Sequence, residues 1–173
     1  MTYTLTSLKG IKNIIIYING SILTNYKVSK EPLIMPLDRS IGINKVYDII
    51  DTDNIRSVTS YFASEYNDNF YYVPVTKYTN DSREKITIII DELNSISSYA
   101  TNLMSFINQD VKLLSVLEKD ETLEINFNEA ILNIDNVILD EVIYTVLYSV
   151  EDNYQVKNVV FLIENKKFVK KVL

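Results

Sequence analysis

Between residues 139 and 150 the apolar positions Leu139, Val142, Ile143, Val146, Leu147 and Val150 recur every three or four residues, with polar residues and tyrosines between them. That spacing predicts an amphipathic helix beginning near Asn136. A shorter stripe, Ile86, Ile89, Ile90 and Leu93, predicts a second helix. Ile88 falls off this stripe, so the helix is expected to touch something on another side. Asp81, followed three residues later by Glu84, reads as a capping box at its start. The polar residues 95–101 read as its end. Elsewhere the period is two. In residues 122–127, Leu123, Ile125 and Phe127 face one way and Glu124 and Asn126 the other, which predicts a strand with one face on the core and one in water. Residues 111–117 are its expected partner across Glu118-Lys119-Asp120-Glu121. Residues 55–63 and 70–78 predict a hairpin turning at Asn67-Asp68-Asn69. Pro74 has no N–H, so the second of these strands is expected at an edge or with its ladder broken there. Residues 157–163 predict a further strand, Asn165 a turn, and residues 168–173 an edge strand.

The first fifty residues are less regular. Residues 1–8 predict the end of a helix, with Gly10 as its left-handed cap. The β-branched run over residues 12–18 predicts a strand buried on both faces. Asn19-Gly20 is a hairpin turn signal, with a return strand near residues 21–26. Residues 30–54, broken by Pro32, Pro36 and Gly42, predict an irregular crossing with a helical turn near residues 45–50. One pattern recurs. Tyr3-Thr4-Leu5 leads to Lys12-Asn13 and an apolar run, and Tyr144-Thr145-Val146 leads to Lys157-Asn158 and another. A short insertion around Glu151-Asp152-Asn153-Tyr154 accounts for the longer spacing in the second copy. The chain therefore reads as the tail of one repeat followed by a whole one, and duplication without catalytic residues points to an interaction module.

Over residues 55–173 the order is strand, strand, helix, strand, strand, helix, strand. This predicts an α+β domain: a small mixed, mostly antiparallel sheet with two helices packed on one face. The 173 residues suffice for a self-supporting core. A formal net charge of −6 argues against nucleic acid as a partner. The chain has no Cys and no His, which removes thiolate chemistry, the Ser-His-Asp triad, and the commonest general base and metal ligand. No catalytic, cofactor-binding or metal-binding residue is assigned. The acidic set Glu118, Asp120, Glu121 and Glu124 reads as a solvated turn, not a cation loop, because Lys119 interrupts it and no Gly is present. Lys166, Lys167, Lys170 and Lys171 read as protection of an edge strand, with contact to anionic lipid as the alternative. The tyrosines offer more. Tyr61, Tyr66, Tyr71 and Tyr72, with Phe62, Phe70 and Tyr78 nearby, are either a surface for a protein or sugar partner or the filling of core and sheet. Tyr144 and Tyr148 read as core or boundary residues.

Three segments carry a family resemblance. Tyr61-Phe62 followed by Tyr72-Val73-Pro74-Val75-Thr76-Lys77, then Val142-Ile143-Tyr144-Thr145-Val146, then Lys157-Asn158-Val159-Val160-Phe161-Leu162-Ile163 resemble the opening hairpin, second helix and closing strand of the GerMN domain. That domain occurs in tandem in a family of sporulation and spore-germination lipoproteins. Residues 55–165 resemble one full domain. Residues 2–48, with Tyr3-Thr4-Leu5, Ile18-Asn19-Gly20 and Ile43-Asn44, resemble the end of a preceding one. The second copy departs from the family at Glu164-Asn165, where Gly is usual.

The resemblance implies a division into residues 1–50, the C-terminal part of a first repeat, and residues 51–173, a complete second domain related to ring-building motifs. It implies a non-enzymatic, extracytoplasmic scaffold that supports a sporulation-associated envelope assembly through protein partners. It also implies a membrane link only through a lipid anchor, whose Cys this chain lacks; no signal peptide is visible. A cell-wall or carbohydrate-binding module using the Tyr-rich hairpin is the alternative. Self-association through the N-terminal half repeat is a further expectation.

Overall fold

In a computed structural model, which describes residues 1–95 and 102–173, the chain forms two units, Met1–Ile43 and Asn44–Leu173. In the first unit, α1 (Thr2–Thr6) is followed by β1 (Tyr17–Ile18) and β2 (Ser21–Ile22), an antiparallel pair. Asn19 and Gly20 both have positive φ, 49° and 82°, as a type I′ turn requires. Ile14 bridges to Leu37 and Asn25 to Pro32. Tyr3 is buried; its hydroxyl donates to the Arg39 carbonyl at 2.9 Å, and the Arg39 guanidinium lies 4.7 Å from its ring.

Two expectations fail in this unit. The run over residues 12–18 is not buried on both faces, since Ile15, Tyr17 and Ile18 are all about half exposed. One short ladder and a few bridges give a segment of this size too little structure to cover it. Gly10 has a positive φ of 88°, but it sits in a turn closed by the Ile11 N–H on the Leu8 carbonyl, beyond the helix cap at Ser7. The Tyr-Thr and Lys-Asn copies share the order helix then extended chain. They differ in extent, for α1 ends at Thr6 whereas the last helix continues to Asn153.

The second unit begins with β3 (Val46–Asp48), which runs parallel to β5 (Asn69–Thr79); β4 (Arg56–Tyr66) pairs with the other side of β5. A strand therefore stands where residues 45–50 predicted a helical turn. Its partners, Lys77, Tyr78 and Thr79, lie far along the chain, and such pairing overrides local preference. The unit boundary falls between Ile43 and Asn44, ahead of this strand. Asn67 and Asp68, with φ of 50° and 58°, make a two-residue turn between β4 and β5.

Pro74 lies in the central strand of this sheet, not in an edge strand. It is tolerated because β3 reaches only residues 77–79, so at Pro74 the far side of β5 has no strand beside it. There the Asn44 side-chain amide donates to the Pro74 carbonyl at 2.8 Å. Lys77 joins three elements by reaching Asp48 of β3 and Glu92 at 2.8 Å each.

Glu92 belongs to α2 (Lys85–Asn94), which starts later than the Asp81 capping box predicted. Asp81 instead accepts the Arg83 N–H and grips the Arg83 guanidinium, which holds its carboxyl below the usual range. Glu84 makes no side-chain cap. Ile86, Ile88, Ile89, Ile90 and Leu93 are all buried, so α2 packs on more than one side. Residues 96–101, read from the sequence as the end of this helix, lie outside the described residues.

The remaining strands, β6 (Leu113–Lys119), β7 (Thr122–Phe127), β8 (Asn158–Ile163) and β9 (Lys166–Val172), form a four-stranded sheet in that order. β7 and β8 are parallel, and α3 (Asn136–Asn153) provides the crossover between them. Leu123, Ile125 and Phe127 join Val159, Phe161 and Ile163 beneath the apolar stripes of α2 and α3, together with Val58, Phe62 and Val75 of the hairpin, in one core. The fold is thus mixed and mostly antiparallel, with the strands of this unit divided between two sheets that share a core.

Asn126, expected to face water, is buried. It donates to the Asn165 side chain at 2.9 Å and accepts the Asn165 N–H at 3.0 Å. It thereby fixes a turn in which Glu164 and Asn165 hold φ of 47° and 64° without glycine.

Candidate interaction surface

α3 carries a polar stripe beside its apolar one: Thr145, Ser149 and Asn153, spaced four apart, share one flank. That flank meets the outer side of β4. The Ser149 hydroxyl donates to the Thr145 carbonyl at 2.6 Å and accepts the Tyr61 N–H at 2.9 Å. Asn153 imitates a neighbouring strand. Its amide donates to the Thr59 carbonyl at 2.7 Å, and its oxygen accepts the Thr59 N–H at 3.2 Å. Two residues beyond Tyr61, Ala63 exchanges both backbone bonds with Met104. The helix and this bridge therefore satisfy the Thr59 and Ala63 backbone groups and the Tyr61 N–H, which a bare β4 edge would offer to another chain.

Tyrosines fasten the same surfaces. Tyr61 and Tyr72 lie on one face of the hairpin, as the pairing of Tyr61 with Pro74 and of Ala63 with Tyr72 requires. Tyr148 of α3 packs against both, with ring centroids 5.7 Å from Tyr61 and 5.0 Å from Tyr72; Tyr144 lies 6.1 Å from Tyr72. The Tyr61 hydroxyl donates to Asp152 at 2.8 Å and the Tyr72 hydroxyl to Glu141 at 2.7 Å. Burial, and then the Glu141 carboxylate that accepts the proton, push the Tyr72 phenol above the ordinary tyrosine range. Lys171 stands 5.1 Å from the Tyr144 ring centroid. Just past the helix, the Tyr154 hydroxyl accepts the Ile86 N–H at 2.9 Å and so caps α2 from a distance.

Tyr66 and Tyr71 point the other way. Pairing puts them on the hairpin face that also carries Phe62 and Val73, at the tip, where they are 68% and 50% exposed. The four tyrosines singled out in the sequence thus form two sets on opposite faces. Tyr61 and Tyr72 bind the hairpin to α3, and Tyr66 and Tyr71 are presented outward. The chemistry nearby is sparse. Among the described residues no three acidic side chains converge on a metal position. Asp120 and Glu121 form the β6–β7 turn, and Glu121 pairs with Lys157. A cavity of about 600 Å³ framed by Val46, Val73, Val75 and Leu103 has Lys45 as the one ionisable group among its described lining residues.

A family model described as "Germane: Sporulation and spore germination" matches residues 59–169, from the first anchored strand through the tyrosine cluster to β9. The chain belongs to the Germane family. Its similarity extends to the spore germination protein GerM of Bacillus subtilis (strain 168), at 31% identity over 173 residues that take in 96% of this chain and 47% of GerM. The chain thus spans about half the length of that curated relative. The solved tandem GerMN domains of the B. subtilis sporulation protein GerM superpose with a TM-score of 0.81 at 31% identity, covering 95% of this chain and 59% of that one. The first GerMN domain of the same protein gives 0.55 at 14% identity, covering 65% of this chain and 86% of its own; that likeness speaks to the fold alone. The Germane match leaves out the first unit, and the tandem structure takes most of it in.

The residues that the sequence reading missed are Ser149, Asp152, Asn153 and Tyr154. The signal was there: the polar four-residue spacing on α3, and the short insertion that sets the second copy apart from the first. Three of the four anchors lie in that insertion.

Proposed function

We propose that this Germane-family chain is a non-enzymatic, extracytoplasmic interaction module that supports a sporulation-associated envelope assembly. The observation that carries the reading is the division of labour among the tyrosines. Tyr61 and Tyr72 are consumed in holding the hairpin to α3, which leaves Tyr66 and Tyr71 displayed at the tip of an anchored hairpin. Exposed aromatics on a preorganised element are what protein recognition favours. A sugar platform built from all four rings is not favoured by their placement on two faces. We propose further that the apolar surface of the first unit, including Val28 at 93% and Ile34 at 84% exposed, is covered by a second copy of the chain.

The test uses sporulating cells whose only copy of the full-length protein carries Tyr66→Ser and Tyr71→Ser. The expected result is a loss of spore yield with the protein accumulating normally. Normal yield at normal abundance would exclude the hairpin tip. For the first unit, light scattering is expected to give twice the chain mass, and a monomer across the concentration range would exclude self-association.

A further inference from the structure

β9 carries four lysines within seven residues of a chain whose net charge is −6. Lys166, Lys167 and Lys170 are exposed and make no ion pair among the described residues. The fourth, Lys171, lies over the Tyr144 ring. A shift of register between Phe161 and Leu162 makes Phe168 an extra residue on β9, with Lys167 opposite Leu162 and Lys170 opposite Val160. The bulge therefore brings Lys167 and Lys170 to one face of the sheet, where Val172, opposite Asn158, joins them. That face is turned away from the core side chains Phe161 and Val159. Phe168 is 45% exposed and Val172 74% exposed.

Protection of a sheet edge explains only part of this. Lysines protect an edge, but exposed Phe and Val on the same strand work against that protection. Unpaired lysines interleaved with an aromatic and an aliphatic side chain instead match the boundary of an anionic bilayer, where ammonium groups meet headgroup phosphates and apolar groups enter the acyl margin. The acids closest along the pairing are Glu124, two strands away across Val160, and Glu164 in the adjoining turn. The negative charge of the rest of the chain acts weakly here, because screening confines it to about 8 Å at physiological salt.

We infer that the β9 edge is a docking surface for an anionic phospholipid membrane. This stands independently of the scaffold reading, since it requires no protein partner.

The experiment is vesicle co-sedimentation of the full chain, comparing phosphatidylcholine with phosphatidylcholine containing phosphatidylglycerol. Binding is expected only to the anionic vesicles and is expected to disappear in molar salt, a readout that needs no variant. Lys166→Glu, Lys167→Glu and Lys170→Glu together keep the edge charged, so folding and solubility are retained, which circular dichroism checks. At about fivefold for each lysine charge lost, with the repulsion of three new carboxylates added, that variant is expected to bind more than about a hundredfold more weakly. Phe168→Ser is expected to weaken binding while leaving its salt dependence unchanged. Equal sedimentation with neutral and anionic vesicles, or with neither, would overturn the inference. So would a charge-reversed protein that binds like the parent, or binding to soluble polyglutamate by a protein that ignores both kinds of vesicle.

Discussion

Asn153→Ala isolates the contact that most directly joins α3 to the hairpin. The Asn153 side chain provides both partners of the Thr59 backbone and also donates to the Ser149 carbonyl at 2.7 Å. Thr59 is 6% exposed, so water does not replace what the alanine removes. A buried backbone group left unsatisfied costs about 1–3 kcal/mol. With two groups orphaned on one residue and partial relaxation, the expected loss is roughly 2–4 kcal/mol, or about 4–16 °C in Tm for a chain of this size. Asn153→Asp sharpens the argument. A carboxylate still accepts the Thr59 N–H but cannot donate to the Thr59 carbonyl and faces its oxygen instead, so it should fare no better than alanine. Denaturant unfolding gives the stabilities, and amide exchange at Thr59 gives the local opening. Both variants falling within about 0.5 kcal/mol of the parent, with Thr59 still protected, would show that the side-chain amide is not a strand surrogate.

Three other perturbations follow from the same geometry. Tyr154→Phe leaves the Ile86 N–H without its acceptor and should destabilise by about 0.5–2 kcal/mol, the range of an ordinary lost helix cap, in the same unfolding assay. Asp68→Gly converts a turn with two positive-φ residues into Asn-Gly and should stabilise by about 0.5–1 kcal/mol; Asn165→Gly should gain less, since it gives up the bond to Asn126. Tyr72, its pKa raised by burial and Glu141, favours the folded state while neutral. That contribution is fully present below about pH 10, the unfolded phenol value, and is lost as pH rises through the higher folded value. Ultraviolet titration should show one tyrosine fewer ionising late in Tyr72→Phe, and an unchanged alkaline limb would refute the assignment.

Much of the second unit was legible because its elements bury single stripes. The six apolar α3 positions Leu139, Val142, Ile143, Val146, Leu147 and Val150 are all buried as their spacing required, and β7 occupies the residues that alternation assigned to it. What sequence pattern could not reach was set by distant partners. The Asp81–Glu84 pattern is a capping box in appearance, but Arg83 takes Asp81 and Tyr154 supplies the cap. Residues 45–50 look helical until β5 lies beside them. The run over residues 12–18 looks like a buried strand, yet the two-residue ladder of β1 and β2 is too small to bury it. The candidate surface was half legible. Tyrosine enrichment located the hairpin, but only strand register showed that Tyr61 and Tyr72 share one face and Tyr66 and Tyr71 the other.

The most direct test of the account compares two pairs of substitutions in the full-length protein of a sporulating cell. Tyr66→Ser with Tyr71→Ser removes the displayed rings, and Tyr61→Phe with Tyr72→Phe removes only the hydroxyl bonds to Asp152 and Glu141. Spore yield, normalised to protein abundance, should fall for the first pair and hold for the second. A fall for the second pair alone, at unchanged abundance, would place the interaction surface on the wrong face of the hairpin.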